Sequence, residues 1–364
     1  MLAYRADVIG SMLRPAYLMK AREDHTTGRL TDAEFKRLED RAVDECIAVQ
    51  ERSGVDVVTD GEQRRSVFAS QLVQATEGFS VVPGNRVDWY TLDGRVVDDP
   101  VTVGVVRAIR RRRHLSAEEF AYLRGKTTRP TKMTIPSPTM YAYYWVPGIS
   151  DSAYPSTDAY LADVADILKD EVTELSRLGA TYIQIDAPEF GMLLDPHQQQ
   201  WFARKGFDPD RLIYDGIEMI NAITAGHPGV TFGLHICRGN DASRYMAKGS
   251  YAKIAGIVFR RARVHRLLLE YDDERSGDFS PLKDVPEDTI VALGLITTKT
   301  PREETPASLR ARIVEASAYI PLDRLALSPQ CGFASVARGN AITARVQEQK
   351  LTLVADVARE VWSD

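Results

Sequence analysis

His235 and Cys237 stand two residues apart in the run GLHICRGN. A pleated strand repeats every second residue, so as part of a strand both side chains leave the same face. Two more groups with metal-binding chemistry close other apolar runs. Glu270 ends HRLLLE, where three leucines predict a buried strand and a terminal carboxylate would be costly without a partner. Cys331 stands in LSPQCGF, where Pro329 stiffens the chain before it and Gly332 lets the backbone turn after it. An imidazole, two thiolates and a carboxylate form an N/S/O set that zinc takes in four-coordinate geometry. The plainer reading is that free cysteines are small buried apolar groups. His-x-Cys is not a zinc-finger spacing, so the metal reading rests on all four residues falling at strand ends. The third thiol, Cys46, lies on an apolar helical face and reads as core.

Side chains this far apart in sequence meet only if the chain returns repeatedly to one place. Short apolar runs recur at 7–11, 55–60, 131–136, 182–186, 231–237, 266–270, 290–297 and 324–329. Amphipathic stretches with helical spacing lie between most of them, at 31–53, 157–178, 210–225, 243–259, 306–319 and 341–362. Thr31 and Glu34 form a capping-box signature, and Gly179 closes the second stretch. Strands alternating with helices describe an α/β fold of parallel units, and eight such units close a TIM (β/α)8 barrel. In such a barrel the chemistry sits where the strands end. Those ends carry Ser11, Asp60, Glu62, Asp186, Glu189, His235, Cys237, Glu270, Lys299 and Cys331. Residues 64–129 are too long for a simple connection between strands 2 and 3. They read as an insertion at the barrel mouth, with antiparallel strands near 95–106 and a turn at Asp93-Gly94.

The composition agrees with one enlarged barrel domain over residues 1–364. Hydrophobic residues make up 44% and charged residues 27% of the chain, which excludes disorder, collagen and coiled coil. There is no apolar stretch of about 18 residues and no secretory signal pattern at the start, so a cytoplasmic protein is expected, without a membrane partner. A formal charge of −5 argues against a nucleic-acid partner, and three cysteines cannot build a disulfide framework. The reading leaves room for a homo-oligomer.

Seven segments in order, VIGSMLRP, SGVDVVTDGEQRR, YIQIDAPEF, GLHICRGN, LLLEYDDERSGDF, GLITTKTP and LSPQCGF, resemble the signature segments of the cobalamin-independent methionine synthase superfamily. The resemblance covers nearly the whole chain and is closest to short, single-barrel members. It implies a barrel that binds one Zn2+ ion and holds the sulfur of a small thiol substrate as a thiolate. The zinc ligands it implies are His235, Cys237, Glu270 and Cys331, with Glu274 as a competitor for the carboxylate position. For a homocysteine substrate it implies that Ile9, Gly10 and Ser11 meet the carboxylate, and that Glu62 and Asp186 meet the amino group. Two departures stand out. Asp186-Ala187-Pro188 replaces an Asp-Glu-Pro segment, and Lys299 falls where the family carries its catalytic histidine.

A thiol with an ordinary pKa of about 8.5 is mostly unreactive at neutral pH, and metal coordination removes that obstacle. The second substrate is an alkyl donor. A methyl on a folate nitrogen and an epoxide oxygen both want a general acid, for which Asp186, Glu189 and Lys299 are candidates. The leading expectation is a zinc-dependent thiol methyltransferase acting on a thiol such as homocysteine, with methyltetrahydrofolate or another methyl donor. The alternatives are thiol addition to an epoxide, as in epoxide:coenzyme M transfer, and a barrel that binds zinc or a ligand without turnover. Lys299 could instead meet a substrate carboxylate or sulfonate, or sit at the rim with its head in water. Tyr141, Tyr143, Tyr144 and Trp145 could stack on a flat donor, and the basic run Arg110–Arg113 reads as a solvated face.

Overall fold

The computed structural model describes residues 4–363. After an extended start, helices Ala16–Thr26 and Asp32–Ser53 follow. The second begins as expected: Glu34 N–H donates to Thr31 Oγ1 while the Glu34 carboxylate accepts from Thr31 N–H at 2.9 Å. Its buried face includes Cys46. Residues 64–129 hold four antiparallel strands, with β1 (Thr76–Val81) paired to β4 (Val103–Arg111) and β2 (Arg86–Tyr90) paired to β3 (Val96–Pro100). The β2–β3 hairpin turns at Asp93-Gly94, with Gly94 at φ 83°. The antiparallel strands expected near 95–106 are β3 and the start of β4, which pair with different partners.

The centre is one parallel sheet in the order β5 (Met133–Pro136), β6 (Tyr182–Asp186), β7 (Thr231–Ile236), β8 (Arg266–Glu270), β9 (Ile290–Ile296) and β10 (Leu325–Pro329). Every residue of β6, β8, β9 and β10 is buried, as parallel strands covered on both faces require. The runs 7–11 and 55–60, expected as strands, make only the isolated parallel bridges Ala6–Leu327 and Val58–Thr131. Part of the reason is that the Asp56 carboxylate takes the N–H groups of Arg5 and Ala6, at 2.7 and 2.9 Å. Backbone hydrogen bonds still run from sheet edge to sheet edge: Asp7 N–H to Leu327 O, Asp56 N–H to Ala6 O and Lys132 N–H to Val58 O, each 2.9 Å. The fold is therefore α/β and TIM-barrel-like.

Helices Thr157–Arg177, Pro209–Thr224, Pro306–Ser317 and Ala344–Val361 lie where the periodicity places them. The helix expected over 243–259 does not form; only the short turns Ala252–Ala255 and Val258–Arg261 are helical. Ala242 and Ser243 have φ of 47° and 69°, outside helical space. Tyr245 is instead paired with β2, exchanging backbone hydrogen bonds with Tyr90 at 2.7 and 3.0 Å and stacking on its ring at 5.4 Å. Inside the ring of strands lies a buried polar cluster with no periodic signal in the sequence. Lys132 Nζ donates to Asp7 Oδ1 at 2.8 Å and to Gln184 Oε1 at 2.7 Å, and Tyr182 OH donates to Asp7 Oδ2 at 2.8 Å.

Candidate functional site

His235 lies on β7, Cys237 directly after that strand, and Cys331 two residues after β10. One ligand atom from each falls within 4.8 Å of the others, and all three residues are buried. His235 Nδ1 lies 3.0 Å from the carbonyl oxygen of Leu268 on β8, so Nδ1 carries the proton and donates. That leaves Nε2 with a free lone pair, buried and without a hydrogen-bond partner. An orphaned imidazole nitrogen facing two thiols is a donor set that fits zinc, oriented by a carbonyl behind it. The neighbouring Cys237 thiol and His235 imidazole hold the Cys331 thiol well below its ordinary range.

Glu270 stands outside this close group of three. Its fully buried carboxylate accepts from Arg238 N–H at 3.0 Å and from Gln330 Nε2 at 3.4 Å, with Arg275 Nη2 at 3.5 Å. Glu274 is exposed on a 3₁₀ turn and takes no part in the cluster.

A pocket opens at the three residues of this cluster. Its lining includes His235, Cys237 and Cys331 together with Ile9, Gly10, Ser11, Glu62 and Asp186. Glu62 sits at φ 53°, a conformation that costs a non-glycine residue about 1–3 kcal/mol and clusters at functional sites. Its Oε1 accepts from Thr134 Oγ1 at 2.6 Å and lies 3.2 Å from Arg65, while Oε2 is buried and unpartnered. Arg14 braces this loop from behind by donating to the Glu62 and Arg65 carbonyls at 2.6 and 3.1 Å. Asp186 ends β6 beside His235 on β7 and accepts from Gln184 Nε2 at 2.7 Å. Burial pushes its carboxyl up to about 7.

The other two candidate acids do not line the pocket. Glu189 Oε1 accepts from Ser137 and from Thr139 at 2.7 Å, and burial raises its carboxyl to about 7. Lys299 is not a rim lysine with its head in water. It is 1% exposed, and its Nζ donates to Gly239 O at 2.7 Å, Asn240 Oδ1 at 3.1 Å and Arg244 O at 3.3 Å. Of the aromatic run, Tyr143 and Tyr144 reach the pocket, whereas Tyr141 bonds Ala69 O at 3.1 Å and Trp145 packs on Tyr160. Arg110–Arg113 are exposed. Trp89 from the inserted hairpin and Met246 from the irregular loop also line the pocket. Periodicity gave no sign of either, because both arrive through the β2–Tyr245 pairing. Among the described residues, no helix is long and apolar enough to cross a membrane.

The chain is similar to known proteins along nearly its whole length. The chain is 32% identical to a Bacillus subtilis protein, YxjH, over 99% of this chain and 95% of that one. It is 27% identical to the methionine synthase of Pyrococcus abyssi, over 97% and 91% of the two chains. In fold it matches the structure of a B12-independent methionine synthase from a Shewanella species in complex with selenomethionine, at a TM-score of 0.76 and 20% identity, covering 99% and 98% of the chains. The family described as "Cobalamin-independent synthase, Catalytic domain" matches residues 5–208 and 259–359, and the chain belongs to that family.

Proposed function

We propose that the chain is a zinc-dependent S-methyltransferase of the reducing cytoplasm, which passes a methyl group from a donor to the sulfur of homocysteine. The observation that carries the reading is the buried group of His235, Cys237 and Cys331 at the pocket, with the His235 Nε2 lone pair unpartnered. These three residues would hold the metal, with Glu270 as the fourth candidate once its Gln330 and Arg275 contacts yield. Zinc there supplies the positive charge that keeps a thiol deprotonated at neutral pH.

The chain's own residues do the rest. Glu62 and Asp186, both in the pocket lining, receive the amino group of homocysteine, and the segment Ile9-Gly10-Ser11, also in the lining, receives its carboxylate. Glu189 stabilises the turn after β5 through Ser137 and Thr139. Lys299 is a positioning residue that ties down residues 239–244, next to Cys237. Homocysteine is favoured over coenzyme M because the pocket lining contains no lysine or arginine to hold a sulfonate.

The test is product formation. Zinc-loaded protein is incubated with homocysteine and a panel of methyl donors, and methionine is followed by mass spectrometry. Asp186→Asn is expected to raise the KM for homocysteine about 10- to 100-fold, the worth of one hydrogen bond to a charged group. Methionine from no donor would refute the reading.

A further inference from the structure

We infer that Lys132 and Gln184 are positioning residues for Asp186: the buried ammonium sets the direction of the Gln184 amide, and the amide holds the Asp186 carboxylate where it meets the substrate's amino group. The inference rests on the homocysteine reading above and names what builds its amino-group subsite.

The residues follow one another along a strand. Tyr182, Gln184 and Asp186 alternate on β6, so their side chains leave the same face. Of the three, only Asp186 lines the pocket, while Tyr182 and Gln184 are fully buried. Among the described residues, the one hydrogen-bond donor to the Asp186 carboxylate is Gln184, through Nε2 to Oδ1 at 2.7 Å. The other pocket carboxylate is held differently. Glu62 has the Thr134 hydroxyl at 2.6 Å and the Arg65 guanidinium at 3.2 Å directly upon it. Asp186 has its cation at one remove, behind an amide.

An amide can turn either its oxygen or its nitrogen toward a neighbour, and Lys132 removes that choice. An ammonium carries three donors and no acceptor. Those of Lys132 go to Asp7 Oδ1 at 2.8 Å, to the Val8 carbonyl oxygen and to Gln184 Oε1 at 2.7 Å. Turned over, the amide would set its NH2 group against the ammonium and its oxygen against the Asp186 carboxylate, losing both hydrogen bonds. Nε2 therefore faces Asp186. A positive charge at Oε1 also polarises the amide and strengthens the hydrogen bond that its far end donates.

Neutralising Asp7 does not account for Lys132. Asp7 Oδ2 already accepts from Tyr182 OH at 2.8 Å and lies 3.3 Å from the Arg266 guanidinium. Lys132, Asp7 and Arg266 are all fully buried, and apolar side chains of similar volume often serve stability as well as a buried ion pair does. What apolar side chains cannot supply is the hydrogen bond to Gln184, which joins the ion pair to the pocket.

Calorimetry on the zinc-loaded protein tests this by comparing L-homocysteine with γ-mercaptobutyrate, which keeps the thiol and the carboxylate but lacks the amino group. The parent is expected to prefer homocysteine. Gln184→Met should weaken homocysteine binding about tenfold and leave γ-mercaptobutyrate binding and zinc content unchanged. Lys132→Met should act in the same direction, and the double variant should lose less than the two single losses combined, because both act through one amide. Should Lys132→Met fail to fold, Gln184→Met decides alone, since it leaves the Lys132–Asp7 pair in place. A parental preference for homocysteine in Gln184→Met, or an equal fall in the binding of both thiols, overturns the inference and leaves the homocysteine reading standing. A parent that binds both thiols equally overturns that reading and the inference with it.

Discussion

Gly294 lies on β9 between Glu270 of β8 and Ser328 of β10, in register with both. A Cβ added there would stand 2.7 Å from the Leu269 carbonyl oxygen and 2.8 Å from Gln330 Cα. Both neighbours are backbone atoms, so no side-chain rotation relieves the contact. Restoring an ordinary separation of 3.4 Å requires the strands to part by 3.4 − 2.7 = 0.7 Å. The residues displaced are those immediately before Glu270 and Cys331. Metal–ligand distances tolerate about 0.2 Å, so Gly294→Ala shifts the candidate ligands by several times that tolerance. Overpacking of this kind costs about 1–3 kcal/mol, and the roughly 0.5–1 kcal/mol gained by replacing glycine within a strand offsets only part of it. The expected outcome is a folded variant, destabilised by about 1–2 kcal/mol, that binds zinc about 10- to 100-fold more weakly, the range seen when the support of a metal ligand is disturbed. Competition against a chromophoric chelator reads the affinity, and denaturant unfolding reads the stability. Gly256→Ala, where a Cβ meets nothing within 4 Å, is the control and should change neither. Parental zinc affinity in Gly294→Ala would refute the placement of the metal at these strand ends.

Two further perturbations probe the buried acid and the buried lysine. Glu189 keeps its proton up to about pH 7 when folded, against an ordinary carboxyl near 4.5, so the folded state gains stability at low pH that is lost as pH rises through about 7. Denaturant unfolding should show Glu189→Gln losing about 3 kcal/mol of that decline between pH 4.5 and 8, and an unchanged slope would contradict it. Lys299→Met leaves the Gly239 carbonyl and the Asn240 side-chain oxygen without their donor, for an expected loss of about 2–4 kcal/mol. As a positioning residue it should lower turnover without altering the shape of the pH–rate profile. Loss of the alkaline limb would instead make Lys299 the general acid.

The parallel sheet was legible in the sequence because β6, β8, β9 and β10 are buried on both faces and therefore read as mainly apolar runs. The first two extended segments looked the same, but the Asp56 side chain substitutes for ladder partners there, which no periodicity reveals. The missing helix at 243–259 had the right spacing of apolar groups. What decided its shape was Tyr90, a distant residue that pairs with Tyr245. At the site, the strand-end rule located His235, Cys237, Cys331, Glu62 and Asp186. It said nothing of direction, and so could not tell that Lys299 points at the 239–244 loop or that Glu270 is already engaged by Arg238 and Gln330. Those partners lie tens of residues away, and only the assembled fold brings them together.

X-ray absorption at the zinc edge, recorded with and without homocysteine, tests most directly whether His235, Cys237 and Cys331 hold a metal that receives a thiol. The expected result is a stoichiometric ion with two sulfur neighbours and one imidazole, rising to three sulfurs when homocysteine is added. A sulfur count that homocysteine leaves unchanged, or a protein that binds no zinc, would contradict it.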